Sequence, residues 1–197
     1  AAVLELLPAL RAMSATPRYG IAFGGAHAKG VADEASDLDL YIFAPAIAID
    51  EARSRLVEAL ADSPPRSWSM PGAFTQAGTD FAYRGRRVEV WLRNTSLIEQ
   101  TLDECERGIV KQELVTWTVM GFYNHCALSD IAHMIVLDDS EGMLAQWQRR
   151  VAVYPPALRA AIIEKHLAAA RFWPHNPHYA SAVERCDVLY VSGIVQQ

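Results

Sequence analysis

The sequence predicts an α+β fold, in which a small mixed β-sheet domain is followed by a mostly helical domain. Helical patterns and short apolar strands alternate over residues 1–108, which is typical of a sheet with helices packed on it. Beyond that point the strand signal fades and helical patterns prevail. We therefore divide the chain into residues 1–108 and residues 109–197. The helical pattern still runs at Gln197 without a stop signal, which predicts that the second domain is cut short.

The composition excludes several classes of protein. Hydrophobic residues make up 51% of the 197 residues and charged residues 21%, which excludes a disordered chain. Lys and Arg number 18 and Asp and Glu number 23, so the net charge is −5, whereas proteins that bind bulk nucleic acid carry a basic excess. The longest apolar stretches fall short of the roughly 20 residues of a membrane span. We therefore expect neither bulk nucleic-acid binding nor a membrane segment.

The three cysteines lie far apart and form no Cys-x-x-Cys pair. An odd, sparse set predicts half-buried free thiols in a reducing compartment, which we take to be the cytoplasm. A disulfide framework or a zinc site would need closer spacing. The three residues are Cys105, Cys126 and Cys186.

Each element of the first domain follows from a local signal. Apolar residues at helical spacing predict a helix over residues 2–13, and Asp50 is predicted to cap a second helix that runs to residue 61. Ser96 and Glu99 have the spacing of a capping box, which predicts a third helix that Gly108 ends. Short apolar or alternating runs predict strands over residues 19–23, 38–43, 80–83 and 87–93.

The second domain is predicted to consist of helices. Their predicted starts are Ser140–Glu141, Pro155–Pro156 and residue 179, with the last helix running to residue 195. Large aromatic side chains in this half indicate core packing, although one of them could instead stack on a base or cover an acceptor pocket. The aromatic residues concerned are Trp117, Phe122, Tyr123 and Trp147.

A glycine turn and a pair of carboxylates carry the chemistry of the first domain. The first predicted strand runs into Gly24 and Gly25, where the missing side chains let the backbone approach a bulky ligand such as a phosphate group. Further along, Ser36 leads into Asp37 and Asp39. Because residues two apart on a strand share a face, both carboxylates would lie on one side while the alternate apolar residues enter the core. Two converging carboxylates can hold a divalent ion.

A third carboxylate, Glu89, lies in the middle of the strand predicted over residues 87–93. An acidic residue there is costly unless something positive meets it. A metal ion shared with Asp37 and Asp39 would do so, and a rim residue paired with Arg87 is the alternative. Three converging carboxylates beside a glycine turn are what two-metal phosphoryl transfer requires.

This combination resembles a known signature. Gly24-Gly25-Ala26 followed by Ser36-Asp37-Leu38-Asp39 is similar to the motif of the DNA polymerase β-type nucleotidyltransferase superfamily, and Glu89 falls where that family has its third carboxylate. A small α/β half followed by a helical half is similar to the antibiotic nucleotidyltransferases that modify aminoglycosides or lincosamides. The motif match covers residues 19–93. Ala26 departs from the serine that the family often carries there, which weakens the contact to phosphate without removing the carboxylates.

The resemblance implies a Mg²⁺-dependent enzyme that transfers a nucleoside monophosphate from an NTP, with ATP expected, to an acceptor hydroxyl and releases pyrophosphate. The implied metal ligands and catalytic residues are Asp37, Asp39 and Glu89. The implied nucleotide contacts are Gly24, Gly25, Ser36 and Lys29. A small molecule, as in antibiotic inactivation, is the first choice of acceptor, held in the cleft between the halves. A protein or tRNA acceptor and a non-catalytic nucleotide-binding module are the alternatives.

The sequence leaves two further groups open. Four arginines around Glu89 form either a solvated strand edge or a contact to phosphates or an anionic acceptor, namely Arg84, Arg86, Arg87 and Arg93. A carboxylate of the second domain, Glu113 or Asp187, could act as general base, although two-metal activation makes a separate base optional. The oligomeric state does not follow from the sequence.

Overall fold

The computed structural model describes residues 2–70, 72, 74–115, 121–172 and 177–195. Its helices are a 3₁₀ helix (Ala2–Leu6), α1 (Leu7–Met13), α2 (Gly25–Ala28), α3 (Asp50–Glu58), α4 (Thr95–Glu106), α5 (Cys126–His133), α6 (Met143–Val151), α7 (Pro156–Phe172), α8 (Pro177–Glu184) and α9 (Val188–Val195). Its strands are β1 (Gly20–Phe23), β2 (Leu38–Ala44), β3 (Arg66–Ser69), β4 (Ala77–Tyr83), β5 (Arg86–Asn94), β6 (Gln112–Glu113), β7 (Phe122–Tyr123) and β8 (Ile135–Asp139). The predicted α+β class is confirmed.

Six of these strands form one mixed sheet in the order β3-β4-β5-β2-β1-β8. Neighbouring strands are antiparallel except β2 and β5, which run parallel. A parallel pair needs a crossover connection, and the segment containing α3, β3 and β4 supplies it. Strands β6 and β7 form a separate two-stranded sheet.

Strand β2 is an inner strand of the sheet, and both of its faces are covered by helices. The alternate apolar residues predicted to enter the core, Leu38, Leu40 and Ile42, pack with residues of the 3₁₀ helix, α1 and α3. On the opposite face, Tyr41 and Phe43 pack with residues of α4, α5, α6 and α7. The apolar run of β2 is nearly continuous because it is buried on both sides.

The sequence pattern did not predict β8, which pairs antiparallel with β1 at the edge of the sheet. Its apolar half is only Ile135, Val136 and Leu137, followed by two aspartates, so the run is too short to stand out from the helical patterns around it. Residues beyond 108 therefore contribute both a strand of the main sheet and much of the second core cluster. The domain division at residue 108 stays a prediction.

The capping box predicted for Ser96 and Glu99 is wrong. The N-cap of α4 is Asn94, whose Oδ1 accepts hydrogen bonds from the backbone N–H of Ser96 at 2.9 Å and of Leu97 at 3.3 Å. An Asn side chain at this position satisfies the free N–H groups of the first turn, so the Ser96 hydroxyl is not needed. The predicted stop is confirmed, because the helix ends at Glu106 and Gly108 follows with φ +77°.

Other helix boundaries differ from the sequence pattern in small ways. Asp50 is the first residue of α3 rather than its cap, and α6 begins at Met143, after Gly142. The helix predicted over residues 179–195 is two helices, α8 and α9. Cys186 interrupts them with φ 54°, and the Asp187 side chain accepts the N–H of Tyr190 at the start of α9.

The three cysteines differ in exposure. Cys105 is buried, Cys126 is half-buried and Cys186 is exposed, and all three are free thiols. The expected partial burial therefore holds only for Cys126, because Cys105 lies in the core and Cys186 lies in the turn between α8 and α9. Among the described helices, none has the length and apolar character needed to cross a membrane.

Candidate functional site

The parallel pairing of β2 with β5 brings two of the predicted carboxylates side by side. Asp39 is the register partner of Glu89, and Glu89 is in turn the partner of Asp80 on β4. Register partners on adjacent strands share a face of the sheet. The three carboxylates therefore form one line across three strands, which we call the acidic row. Asp80 was not predicted as a site residue, because nothing in its own strand pattern shows which strand lies beside it.

The negative charges of the acidic row repel one another. Burial raises the pKa of Asp39, and the negative charges of Asp37 and then Asp130 raise it further. Burial also raises the pKa of Glu89, against the lowering effect of Arg87, and the charges of Asp37, Asp80 and Asp39 add to the rise. A bound cation would relieve this repulsion, so the row has the electrostatics of a cation site.

Two tryptophans and an arginine hold the acidic row in place. The Trp68 Nε1–H donates to Asp80 Oδ2 at 3.2 Å, and the nearby Trp91 side chain lowers the pKa of Asp39. The Arg87 guanidinium forms an ion pair with Glu89. These contacts fix the carboxylates on the sheet before any ligand binds.

An open groove of about 470 Å³ is lined by Asp80 and Glu89, two of the three carboxylates of the acidic row. Trp68, Met70 and Trp91 give it an apolar floor, while Arg66 and Arg87 add positive charge. The two indoles meet edge to face, with ring centroids 5.8 Å apart. A groove with flat aromatic surfaces beside both charges suits an amphipathic ligand such as a nucleotide.

The glycine turn after β1 packs directly against the acidic row. A Cβ at Gly25 would lie 1.7 Å from Asp39 Oδ2, and a Cβ at Gly24 would lie 2.1 Å from Cε2 of Tyr41. The backbone of Gly25 has φ +61°, and its N–H donates to the Tyr41 hydroxyl at 3.2 Å. Only glycine combines this backbone conformation with such a close approach, so the turn is built around Asp39.

The structure places the other two predicted nucleotide contacts on the segment between the glycine turn and β2. The Lys29 Nζ lies 3.8 Å from Asp130 Oδ1. The Ser36 hydroxyl donates to Asp33 Oδ1 and accepts the backbone N–H of Asp33, both at 2.9 Å, so it closes its own loop. Nucleotide binding by Lys29 and Ser36 stays a prediction.

Arg93, which the sequence left open as a contact to phosphates or an anionic acceptor, pairs with Asp130, which the sequence did not predict as a site residue. The Arg93 side chain is 2% exposed, and its Nη2 donates to Asp130 Oδ2 at 2.9 Å. Its guanidinium lies 4.3 Å from the ring centroid of Tyr41 and 4.4 Å from that of Phe74. The Nε and Nη1 atoms of Arg93 are buried and make no hydrogen bond to any described residue.

Three of the four arginines predicted as one group have separate partners. Arg84 pairs with Glu5 at 2.6 Å, Arg87 pairs with Glu89, and the buried Arg93 pairs with Asp130. A solvated strand edge is therefore wrong for Arg93. Its only sequence signal was its place as the last residue of the predicted strand, directly after Leu92, which is too weak to show burial.

The two candidate general bases and the aromatic residues of the second half have different surroundings. Glu113 Oε2 accepts the backbone N–H of Phe74 at 3.3 Å, whereas Asp187 is exposed at the start of α9. Trp147 is 1% exposed and packs edge to face on Phe43, which confirms core packing for that residue. Trp117 lies outside the described residues.

Asp39 and Glu89 are the candidate metal ligands that the sheet places side by side. Among the residues that the structure describes, no group of three His, Cys, Asp or Glu side chains is arranged to hold a metal ion. Mg²⁺ is usually held by one or two carboxylates together with waters and substrate phosphates, rather than by a complete protein cage. Asp39 and Glu89 match that donor set, because they supply two neighbouring carboxylates. A bound cation would also reduce the repulsion between their charges.

Comparison with protein-family models finds no match to this chain, and comparison with curated proteins finds none either. The geometry of the site therefore carries the functional argument.

Proposed function

We propose that the protein is a Mg²⁺-dependent nucleotidyltransferase, which moves a nucleoside monophosphate from an NTP, ATP first, to a hydroxyl group of a small molecule. The observation that supports this most directly is the placement of Asp39 beside Glu89, under the glycine turn at Gly25. A cytoplasmic location is part of the proposal and rests on the sparse cysteines of the sequence.

The acidic row supplies the two charges that the reaction needs close together. Asp39 and Glu89 would hold Mg²⁺ together with Asp37, the residue directly before β2. When bound, Mg²⁺ would neutralise the phosphate oxygens and make the acceptor hydroxyl easier to deprotonate. Binding of the metal requires both carboxylates to be ionised, against the rise in their pKa values, so metal affinity is expected to fall at acid pH.

The proposed reaction is a single displacement at phosphorus. The acceptor oxygen forms a bond to the α-phosphorus while the bond from that phosphorus to the bridging oxygen breaks, and pyrophosphate leaves with the electron pair. The hydroxyl proton passes to a carboxylate of the row or to water. The chain's own contribution is to align the groups, because the glycine turn admits the triphosphate next to Asp39 and the groove beside Trp91 accommodates the base.

A non-catalytic nucleotide-binding module is the second candidate. The Arg87 guanidinium already neutralises Glu89, and Ala26 removes the hydroxyl that the resembling family often uses. In such a module the nucleotide would bind without metal dependence and without release of pyrophosphate. A protein or tRNA acceptor is the remaining alternative for an active enzyme, and it predicts pyrophosphate release only when a macromolecular acceptor is added.

The first experiment measures thermal unfolding with ATP, GTP, CTP and UTP, with and without Mg²⁺. At about one hundred times its Kd, Mg·ATP is expected to stabilise the fold by about 2.7 kcal/mol, or about 5–10 °C for a chain of this size. Asp39→Asn and Glu89→Gln should abolish the Mg²⁺ dependence without destabilising the protein, because each removes like-charge repulsion. The exposed Glu58→Gln on α3 is the matched control. An unchanged response in Asp39→Asn would refute the site.

Pyrophosphate release separates the enzyme from the binding module. Wild-type protein with Mg·ATP is expected to release pyrophosphate when a hydroxyl-bearing small molecule is added, and the Asp39→Asn variant is not. Stabilisation by nucleotides alone, with no release for any small-molecule, protein or tRNA acceptor, would favour the non-catalytic module.

A further inference from the structure

A half-enclosed cavity of about 290 Å³ lies between α4, the β6–β7 hairpin and the start of α5. Most of its surface is apolar, with Leu97, Ile98, Phe122 and Ala127 contributing to it, and polar and charged residues complete the lining. A largely apolar cavity with a few polar groups at its rim is the usual form of a small-molecule site. Nothing in the proposed chemistry of the acidic row uses this cavity directly.

The Phe74 ring links the cavity to the groove beside the acidic row, because it lines the cavity and packs edge to face on Trp91, with ring centroids 6.3 Å apart. The Phe74 ring stacks on Phe122 inside the cavity, with centroids 4.3 Å apart and planes 7° apart. The same ring lies 4.4 Å from the Arg93 guanidinium, which binds Asp130. Asp130 follows Ala127 by three residues on α5, so both lie on one side of that helix. A ligand in the cavity is therefore separated from Arg93 by one aromatic ring.

The charges that line the cavity exclude some ligands. Lys111 Nζ lies 2.5 Å from Glu104 Oε1, so these two groups largely neutralise each other. Glu113 adds a further negative charge, and its contact with the N–H of Phe74 fixes it beside the stacked rings. The lining thus carries one more negative than positive charge, which favours a neutral or singly cationic ligand over an anion. Its apolar surface offers no partners for the several positive charges of a polycation, so burying them there is costly.

We propose that this cavity binds the acceptor, a small molecule with a flat apolar ring, a hydroxyl group and at most one basic amine. The ring lies against Phe74 and Phe122, and the amine faces Glu113. The role as acceptor rests on the proposed nucleotidyltransferase function, whereas the binding of this class of ligand does not. The inference makes a strongly polycationic aminoglycoside a poor acceptor.

The test titrates wild-type protein, without nucleotide, with 2-phenylethanol, 2-phenylethylamine, 3-phenylpropionate and the polycation kanamycin. Backbone NMR shifts report on binding at the cavity. We expect saturable binding of the alcohol and the amine up to about 10 mM, in the millimolar range of fragment-sized ligands, with the carboxylate and kanamycin at least about tenfold weaker. No saturable binding of either the alcohol or the amine would overturn the proposal, as would tightest binding of the carboxylate.

Two variants tie the binding to the cavity. Gln100 is an exposed lining residue of α4, so Gln100→Trp is expected to block the cavity and weaken the alcohol and the amine at least about tenfold. Gln146→Trp, an exposed glutamine on α6, is the matched control and should change neither. Glu113→Gln keeps the shape and should weaken only the amine, by about three- to tenfold. Equal effects of Gln100→Trp and Gln146→Trp would overturn the site.

The same variants separate this inference from the proposed function. If pyrophosphate release depends on Asp39 but is unchanged in Gln100→Trp, the enzyme stands and the cavity is not its acceptor site. If the ligands bind as expected while Mg·ATP neither binds nor reacts, the ligand class stands and the role as acceptor is refuted.

Discussion

At the scale of single residues, the closest packing in the candidate site is between Gly25 and Asp39. Two independent constraints require glycine at position 25: its backbone has a positive φ, and a Cβ there would lie 1.7 Å from Asp39 Oδ2. The first concerns the backbone and the second concerns the position of a proposed metal ligand. Their effects can be told apart, because Gly85 has φ +71° but open space where a Cβ would lie.

Gly25→Ala is predicted to damage the site as well as the fold. A non-glycine residue at positive φ costs about 1 kcal/mol, and the new methyl group must also displace the Asp39 carboxylate. We expect a loss of at least about 2 kcal/mol in the free energy of unfolding and loss of Mg·ATP-dependent stabilisation. Urea unfolding with and without Mg·ATP measures both.

Gly85→Ala is the matched control for that prediction. It is expected to cost about 1 kcal/mol from backbone strain alone and to leave the response to Mg·ATP intact. If both variants lost that response equally, the close contact at Asp39 would not be the cause.

The Asp138 carboxylate gives a prediction for the dependence of stability on pH. Burial opposes its ionisation, but hydrogen bonds from Arg11 at 2.5 Å and Tyr19 at 3.0 Å outweigh burial and hold its pKa below the ordinary value of 3.8. The folded state therefore binds the proton less readily than the unfolded state does. The stabilisation is present above about pH 4 and is lost as the pH falls through the folded pKa.

Asp138→Asn is thus expected to lower the free energy of unfolding by about 1 kcal/mol at pH 7, with a difference from wild type that shrinks below about pH 4. Urea titrations at a series of pH values measure this difference. A difference that stays constant or grows on acidification would contradict the assignment.

At the scale of elements, helices α4 and α6 are joined by one arginine. Arg150 binds Glu99 at 2.7 Å, Asp103 at 2.5 Å and Glu106 at 2.7 Å, three carboxylates that share a face of α4. Hydrogen bonds, first to Glu106 and then to Asp103, raise the pKa of Arg150. The same network shows why Glu99 does not form the predicted capping box with Ser96. Its carboxylate binds Arg150 and Trp147 and therefore does not turn back to the start of its own helix.

Arg150→Met is predicted to lower the free energy of unfolding by about 1–3 kcal/mol, because three like charges on α4 lose their shared partner. Added salt should recover part of the loss by screening the remaining repulsion. The exposed neighbour Arg149→Met is the control, expected to change stability by less than about 0.5 kcal/mol. Chemical unfolding at low and high salt checks both, and equal losses would argue against the network.

At the scale of the whole molecule, the two predicted halves share a sheet and a core. Strand β8 completes one edge of the sheet beside β1, and Trp147 and Leu158 pack into the same cluster as Phe43 and Ile98. This shared core brings Asp130 of α5 to Arg93 of β5.

A fragment of residues 1–108 is therefore predicted not to fold by itself. Without β8 and helices α5 to α7, the face of β2 that carries Tyr41 and Phe43 would be exposed to water, and a large part of the apolar burial would be lost. We expect poor NMR dispersion and no cooperative unfolding, compared with the full chain. A cooperative transition in the fragment would support an independent domain that ends near residue 108.

The sequence by itself determined those features that depend on neighbouring residues. The alternation in β2 and β5 predicted which side chains face the core, and the two glycines after β1 predicted a turn that a ligand can approach, since both patterns are local. Only the tertiary structure decided that Asp39 lies opposite Glu89, that Asp80 extends the row, and that Arg93 is buried against Asp130. Strand order, register and the packing of α5 on the sheet depend on contacts between distant parts of the chain, and no local spacing specifies them.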